Sequence, residues 1–210
     1  QKLGAAGKVC LLGLSNSDAL RLRQLLEPGI RPATNQVQYS LLDRRPDHGM
    51  AAFCREQGVE LLCYGTLAGG FLTDRWVGAE DPAPPLANRS LVKYRLIIDE
   101  LGGWADFQEL LDRLRGIAER HGVSVANVAQ RWVLDRAGVG AIIVGARGGE
   151  HSDDNLSLFD VALNRAHRAA LSPFLAEHPG PPGDVYSLER QWDGRHARVM
   201  WTDLNRERGS

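Results

Sequence analysis

Apolar and polar positions along this chain follow two periods, and the switches between them mark out short strands and longer helices. Lys8 to Ser15 is an apolar run of strand length. Asn16-Ser17-Asp18 follows as turn chemistry with an N-cap, predicting an amphipathic helix over Ala19 to Glu27 that Pro28-Gly29 stops. Ala33 to Tyr39 is extended. Asp47 to Gln57 has helical spacing at Met50, Phe53 and Cys54, with Gly58 where a C-terminal cap belongs. Glu60 to Tyr64 is a third strand, closed by Gly65 and the Gly69-Gly70 pair. From Thr73 to Gly103 the pattern lapses into a proline-rich loop, with a short helix within Asn88 to Leu101. Trp104 to His121 then carries Phe107, Leu110, Leu111, Leu114, Ile117 and Ala118 on one face. Gly122 ends that helix, and Ser124 caps another bearing Val128, Trp132 and Val133. Gly140 to Val144 is a fourth strand, before the glycine-rich turn Gly145 to Gly149. Helices are expected over Asp153 to Phe159 and Arg165 to Glu177. After Pro179 little periodicity remains, which divides the chain into an α/β body over 1–178 and an irregular tail over 179–210.

Strand, helix, strand over Ala33 to Tyr64 implies a right-handed crossover between parallel strands. The polar residues of that unit, Asn35, Gln36, Tyr64 and Thr66, gather at the C-terminal strand ends, where parallel α/β folds bind ligands.

Composition changes this picture little. The 210 residues are 43% hydrophobic and 24% charged, as in a globular protein. A net charge of −1 gives no electrostatic case for nucleic acid or an anionic membrane. No apolar run reaches membrane-spanning length. Cys10, Cys54 and Cys63 stand in apolar contexts and are expected to be reduced core residues, which suits a reducing compartment, the cytoplasm or an organelle matrix. A cleaved targeting segment would leave no trace. Asp153-Asp154 beside His151 is read as helix-start charge, and no metal site is expected.

Four strand ends converge: Ser15 and Asn16; Asn35 and Gln36; Tyr64, Gly65 and Thr66; and Gly145, Ala146 and Arg147. Amides and hydroxyls both donate and accept, so they suit a neutral amide such as nicotinamide. A tyrosine beside glycines can lay its ring on an aromatic ligand while backbone approaches closely. A Gly-Ala-Arg turn before a helix places a cation and free N–H groups together, which is an anion site.

These pieces together resemble the second half of an aldo-keto reductase, over about Gly7 to Leu158. The motifs that carry the resemblance are Gly13-Leu14-Ser15-Asn16, Asn35-Gln36-Val37-Gln38-Tyr39-Ser40, Tyr64-Gly65-Thr66-Leu67-Ala68-Gly69-Gly70-Phe71-Leu72, and Ile143-Val144-Gly145-Ala146-Arg147 followed by Asp154-Asn155-Leu156. The resemblance implies the C-terminal half of a (β/α)8 TIM barrel, four parallel strands with helices plus a tail, that binds NADP (NADPH) and serves reduction of a small carbonyl substrate. It implies that Ser15, Asn16 and Gln36 hold the carboxamide and that Tyr64 stacks on the nicotinamide. Gly65, Leu67 and Gly69 would line the pyrophosphate. Ala146 and Arg147, with His151, would meet the 2′-phosphate, and Asp154 and Asn155 the adenine.

The chain departs from the family pattern in three ways. His151 stands where a basic residue is common, which leaves NADP preference mainly to Arg147. Tyr-Gly-Thr-Leu replaces the usual Tyr-Ser-Pro-Leu. The family's catalytic Asp, Tyr, Lys and His come from the first four strands, which nothing here matches, so no catalytic residue is assigned. The expectation is therefore a cofactor half-site completed by its own N-terminal half or by a protein partner. The alternative is a structural or regulatory subunit that reuses the half-barrel, as potassium-channel β subunits reuse the whole one. Val9, Leu11 or Leu12, Val37, Leu61 or Leu62, and Ile142 or Ile143 are expected on the inward face that such a completing segment would cover.

Overall fold

The computed structural model describes residues 2–145 and 152–200. Among these, β1 (Gly13–Ser15), β2 (Thr34–Gln38), β3 (Glu60–Tyr64) and β4 (Val139–Ile142) form one sheet in the order β1-β2-β3-β4, every neighbouring pair parallel. Sequential order with parallel pairing is how half of a β/α barrel is laid out. The intervening helices are α1 (Lys2–Ala5), α2 (Ala19–Leu26), α3 (Met50–Glu56), α4 (Arg89–Leu101), α5 (Trp104–His121) and α6 (Val125–Leu134). After β4 come α7 (Ser152–Ser157), α8 (Arg165–Glu177) and α9 (Arg195–Val199). No helix among the described residues is long and apolar enough to cross a membrane.

Four helix starts among the described residues are capped by side chains. Asp18, Asn88, Ser124 and Asn164 each accept a hydrogen bond from the backbone N–H three residues on, which satisfies an otherwise orphaned donor. Gly122 closes α5 in the left-handed conformation. The largest departure is at the start. The strand expected over Lys8 to Ser15 is only Gly13–Ser15, and Leu11, Leu12 and Cys10 are exposed. With β1 at the sheet edge, nothing described pairs with residues 8–12 on their other side, so the apolar run lacks the ladder that would make it a strand. Cys10 is thus not a core residue. Cys54 and Cys63 are, and burial pushes their thiols up to about 11 and about 12. The helix expected from Asp47 begins only at Met50, because Pro46 stands in a 3-10 turn over Arg45–Asp47.

The helices cover one face of the sheet. Asn35 and Val37 on β2 and Leu61 and Cys63 on β3 are buried beneath them, Val37, Leu61 and Cys63 in the main apolar cluster with Leu110, Leu114, Val128 and Trp132. This corrects the inward set at Val37, which faces the helices, and of the pair Leu61 or Leu62 leaves Leu62 for the other face. The opposite face carries Gln36, Gln38, Leu62 and Tyr64, since register aligns Ser15 with Gln36, Gln36 with Leu62, and Gln38 with Tyr64. The proline-rich loop closes on an aromatic group in which Phe71, Trp76, Trp104 and Phe107 meet edge-to-face or tilted, 4.9 to 6.0 Å apart. Trp76 and Trp104 therefore pack the loop itself. Residues 179–200 fold back across the strand ends, where Val185 and Leu188 are buried.

Candidate functional site

The C-terminal ends of β1, β2 and β3 lie side by side, and each contributes polar groups to the open face. Asn16 sits just beyond β1 at a φ of 53°, a conformation that asparagine tolerates better than most residues. Its N–H continues the ladder to the Gln36 carbonyl at 2.8 Å. Its Oδ1 accepts from the Tyr64 hydroxyl at 2.8 Å, so Asn16 and Tyr64 are brought together across β2. The Ser15 hydroxyl and the Gln36 amide have no hydrogen-bond partner among the described residues; Ser15 is exposed and Gln36 half-buried. Asn35, two positions from Val37 on the helix side, is spent on structure. Its amide donates to the Ser17 carbonyl at 2.8 Å and accepts from the Ser17 N–H at 3.3 Å.

Gly65 and Gly69 both have a φ of +67°, and a Cβ on Gly65 would stand 2.0 Å from the Tyr94 hydroxyl, one on Gly69 2.7 Å from the Tyr94 ring. The space that those glycines leave is filled by Tyr94 of α4. Leu67, between them, is half-buried. Gly65→Ala should therefore cost about 2–4 kcal/mol, left-handed strain plus overpacking. Gly70→Ala, also at positive φ but with nothing within 4 Å, should cost only the strain. Thermal melts of the two variants compare the terms, and equal loss would mean that Tyr94 yields freely.

Ala146, Arg147 and His151 lie outside the described residues. Asp154, exposed on α7, accepts from Asn127 Nδ2 at 3.0 Å and from the Ser124 hydroxyl at 3.3 Å, which ties α7 to the start of α6. Asn155 is half-buried beside it.

Behind the strand ends lies a charged group that the sequence does not announce. Arg45 is buried, and its guanidinium binds Asp43 through Nε at 2.9 Å and Nη2 at 2.6 Å. The same fork binds Glu189 of the tail through Nη1 at 2.7 Å and Nη2 at 2.9 Å. Burial alone would lower the pKa of Arg45, but two carboxylates more than offset it and hold the group above its ordinary value. Burial alone would raise Glu189, and the hydrogen bonds and charge of Arg45 hold it below. Asp43 also accepts from Gln38 Nε2 at 2.6 Å. Arg190, next along, reaches the Asn16 carbonyl at 2.5 Å and Asp18 at 3.0 Å, while Asp184 accepts from the Ala19 N–H at 2.9 Å. The tail is thus fastened to β1 and β2 on both sides of the polar cluster. In the sequence the only signal was Asp-Arg-Arg after a strand, plus a Glu-Arg pair 144 residues from Arg45.

Lys93 of α4 completes the group. Its ammonium lies 5.5 Å from the Tyr64 ring centre and 5.3 Å from that of Tyr94. Burial is the main reason that its pKa is lowered, with Arg45 adding to this, while Glu189 and Asp43 pull it up. Burial, reinforced by Glu189 and other neighbours, raises the pKa of the Tyr64 hydroxyl, which the Asn16 hydrogen bond only partly counters. Tyr64 is therefore no better an acid than an ordinary tyrosine.

Known proteins share the fold. The Aldo/keto reductase family profile matches residues 1–173. Flagellar radial spoke protein 5 of Chlamydomonas reinhardtii is 32% identical over 131 residues, 61% of this chain and 25% of that protein. The solved glycerol dehydrogenase AKR11B4 from Gluconobacter oxydans is 26% identical and superposes with a TM-score of 0.73 over 88% of this chain and 54% of its own. An aldo/keto reductase from Klebsiella pneumoniae, solved in complex with NADP and acetate, is 24% identical and shares the fold with a TM-score of 0.60 over 87% of this chain and 53% of its own. Apart from the longer radial spoke protein, the chain spans about half the length of the curated relatives it matches, 48% and 52% of two of them. With four parallel strands in barrel order and a family match over residues 1–173, this chain belongs to the aldo/keto reductase family.

Proposed function

We propose that this chain is the NADP(H)-binding part of a carbonyl reductase. The observation that carries this reading is the row of polar groups on adjacent strand ends, in which the Gln36 amide and the Ser15 hydroxyl have no partner among the described residues, next to the Asn16–Tyr64 pair. A carboxamide would match both the donor and the acceptor of that half-buried amide. Bound here, the cofactor would supply hydride to a small carbonyl compound. Ser15, Asn16 and Gln36 would orient its carboxamide, and the Tyr64 ring would support the nicotinamide. Gly65, Leu67 and Gly69 line the turn that would face the pyrophosphate, with Tyr94 filling the space behind the glycines. Ala146, Arg147 and His151 are assigned to the 2′-phosphate, Asp154 and Asn155 to the adenine.

None of these residues is cast as the acid that protonates the carbonyl. Tyr64 is the phenol nearest the assigned carboxamide residues, and its raised pKa with its donation to Asn16 argues against that role. The proton donor would come from the segment that completes the barrel, whether in the same protein or on a partner.

Titration of the protein with NADPH and NADH, with the segment that completes its barrel supplied, tests the reading. Arg147→Ala should weaken NADPH by roughly tenfold or more, the scale of a lost charge-assisted hydrogen bond, and leave NADH nearly unchanged. Tyr64→Ala should weaken both by roughly 1 kcal/mol, or about fivefold. Equal loss of both cofactors in Arg147→Ala would sink the 2′-phosphate assignment. Failure of the unaltered protein to bind either would favour the second reading, a structural subunit of a larger assembly, which the likeness to a radial spoke protein supports.

A further inference from the structure

Lys93 is one of three lysines in the chain, beside Lys2 and Lys8. Among the described residues no carboxylate pairs with its ammonium and no acceptor hydrogen-bonds it; its contacts are the faces of Tyr64 and Tyr94, at 5.5 and 5.3 Å. Close by are Asp43, Arg45 and Glu189, two carboxylates sharing one guanidinium, which leaves one net negative charge. Lys93 brings that sum to zero. The four groups act on one place: Asp43 and Glu189 both bear on Tyr64, Tyr94 and Lys93, and Arg45 bears on Tyr94 and Lys93. Tyr186 adds a neutral hydroxyl on the tail side.

The oxidised and reduced forms of a nicotinamide cofactor differ at this place by one unit of charge. The oxidised ring is a cation, the dihydro ring is neutral, and the phosphates and adenine are the same. We propose that Lys93 makes the Tyr64 site discriminate between them, disfavouring the oxidised ring so that the protein loads the reduced cofactor from a mixed pool. This rests on the cofactor reading above. With Lys93 present a positive charge stands against the tyrosine ring itself, and the buried carboxylates are balanced. Without it the cluster is net negative and would draw a cationic ring in. The polar residues of the strand ends cannot make this distinction, because Ser15, Asn16 and Gln36 are neutral and meet a carboxamide common to both forms.

The test is direct binding, by tryptophan fluorescence, of NADPH and of NADP+ to the protein with its barrel completed and to its Lys93→Met, Lys93→Gln and Lys93→Arg variants. The Met side chain keeps the unbranched apolar stem, and Gln is a second neutral variant should Met fail to fold. Circular dichroism checks each fold. The ratio of the NADP+ dissociation constant to that for NADPH should fall by roughly tenfold or more in both neutral variants, the scale of one charge at a dielectric of about 20, and stay within about twofold in Lys93→Arg. Neutral variants that bind both forms with an unchanged ratio would overturn the assignment of Lys93 while leaving the cofactor site standing. An unaltered protein that binds neither form would overturn both.

Discussion

Arg45→Met is expected to cost about 3–5 kcal/mol at pH 7, the usual penalty for removing one partner from a buried ion pair. The reason is that Asp43 and Glu189 would remain buried as two carboxylates with no cation between them. Lys93 forms no ion pair with either. The sign with pH follows from Glu189, whose folded pKa is depressed. A depressed carboxylate contributes stability above its unfolded pKa of about 4.3 and loses that contribution as pH falls through the folded value. The deficit of Arg45→Met relative to the unaltered protein should therefore be full at pH 7 and shrink below about pH 4, as Glu189 takes up its proton. Urea unfolding at the two pH values measures it. Arg195→Ala gives the contrast. Arg195 pairs with Asp99 and Glu100 near the surface, and its loss should cost less than about 1 kcal/mol. An Arg45→Met protein as stable as the original at pH 7 would show that the cluster does not hold the tail.

Residues 1–210 alone are expected to self-associate. Among the described residues β1 and β4 each pair on one side only, and each edge presents unmatched N–H and C=O groups. The segments flanking those edges are apolar and open, with Leu11 78%, Leu12 45%, Ile143 40% and Val144 41% exposed. Parallel sheets are otherwise covered or closed. Four such side chains left wet forgo roughly 1.5–3 kcal/mol each, comparable in sum to a domain's whole net stability of about 5–15 kcal/mol. Sedimentation should show dimers or larger species and a hydrophobic dye should bind; Leu11→Lys with Ile143→Lys should reduce both effects. A monodisperse monomer with a cooperative melt and no dye binding would sink this expectation. The occupant proposed for these edges is the rest of the barrel, in the same protein or on a partner.

The local sequence determined most of the elements. The strand Glu60–Tyr64 and the helices Trp104–His121 and Arg165–Glu177 form with the boundaries that their apolar period predicts. The caps at Asp18 and Ser124 do as well, because capping is settled by hydrogen bonds over three residues. Four motifs in order, from Ser15-Asn16 to Gly145-Ala146-Arg147, were enough to indicate the family and the half-barrel. Where the strand over Lys8 to Ser15 shortened to Gly13–Ser15, period alone could not tell, since a strand also needs a neighbour to pair with.

Only the tertiary structure decided which face of the sheet is open and what stands there. Val37 went to the helix side, and Leu61 rather than Leu62, because the helices cover that face, and a strand pattern without its partners has no preferred side. The Arg45–Glu189 bond spans 144 residues of chain, and nothing at either end signals the other. Lys93 and Tyr94 belong to a helix after a loop without period, yet α4 brings them against Tyr64 and the two glycines. Charges are read locally in a sequence, but their energies depend on distance and burial, and those are fixed only when the chain has closed on itself.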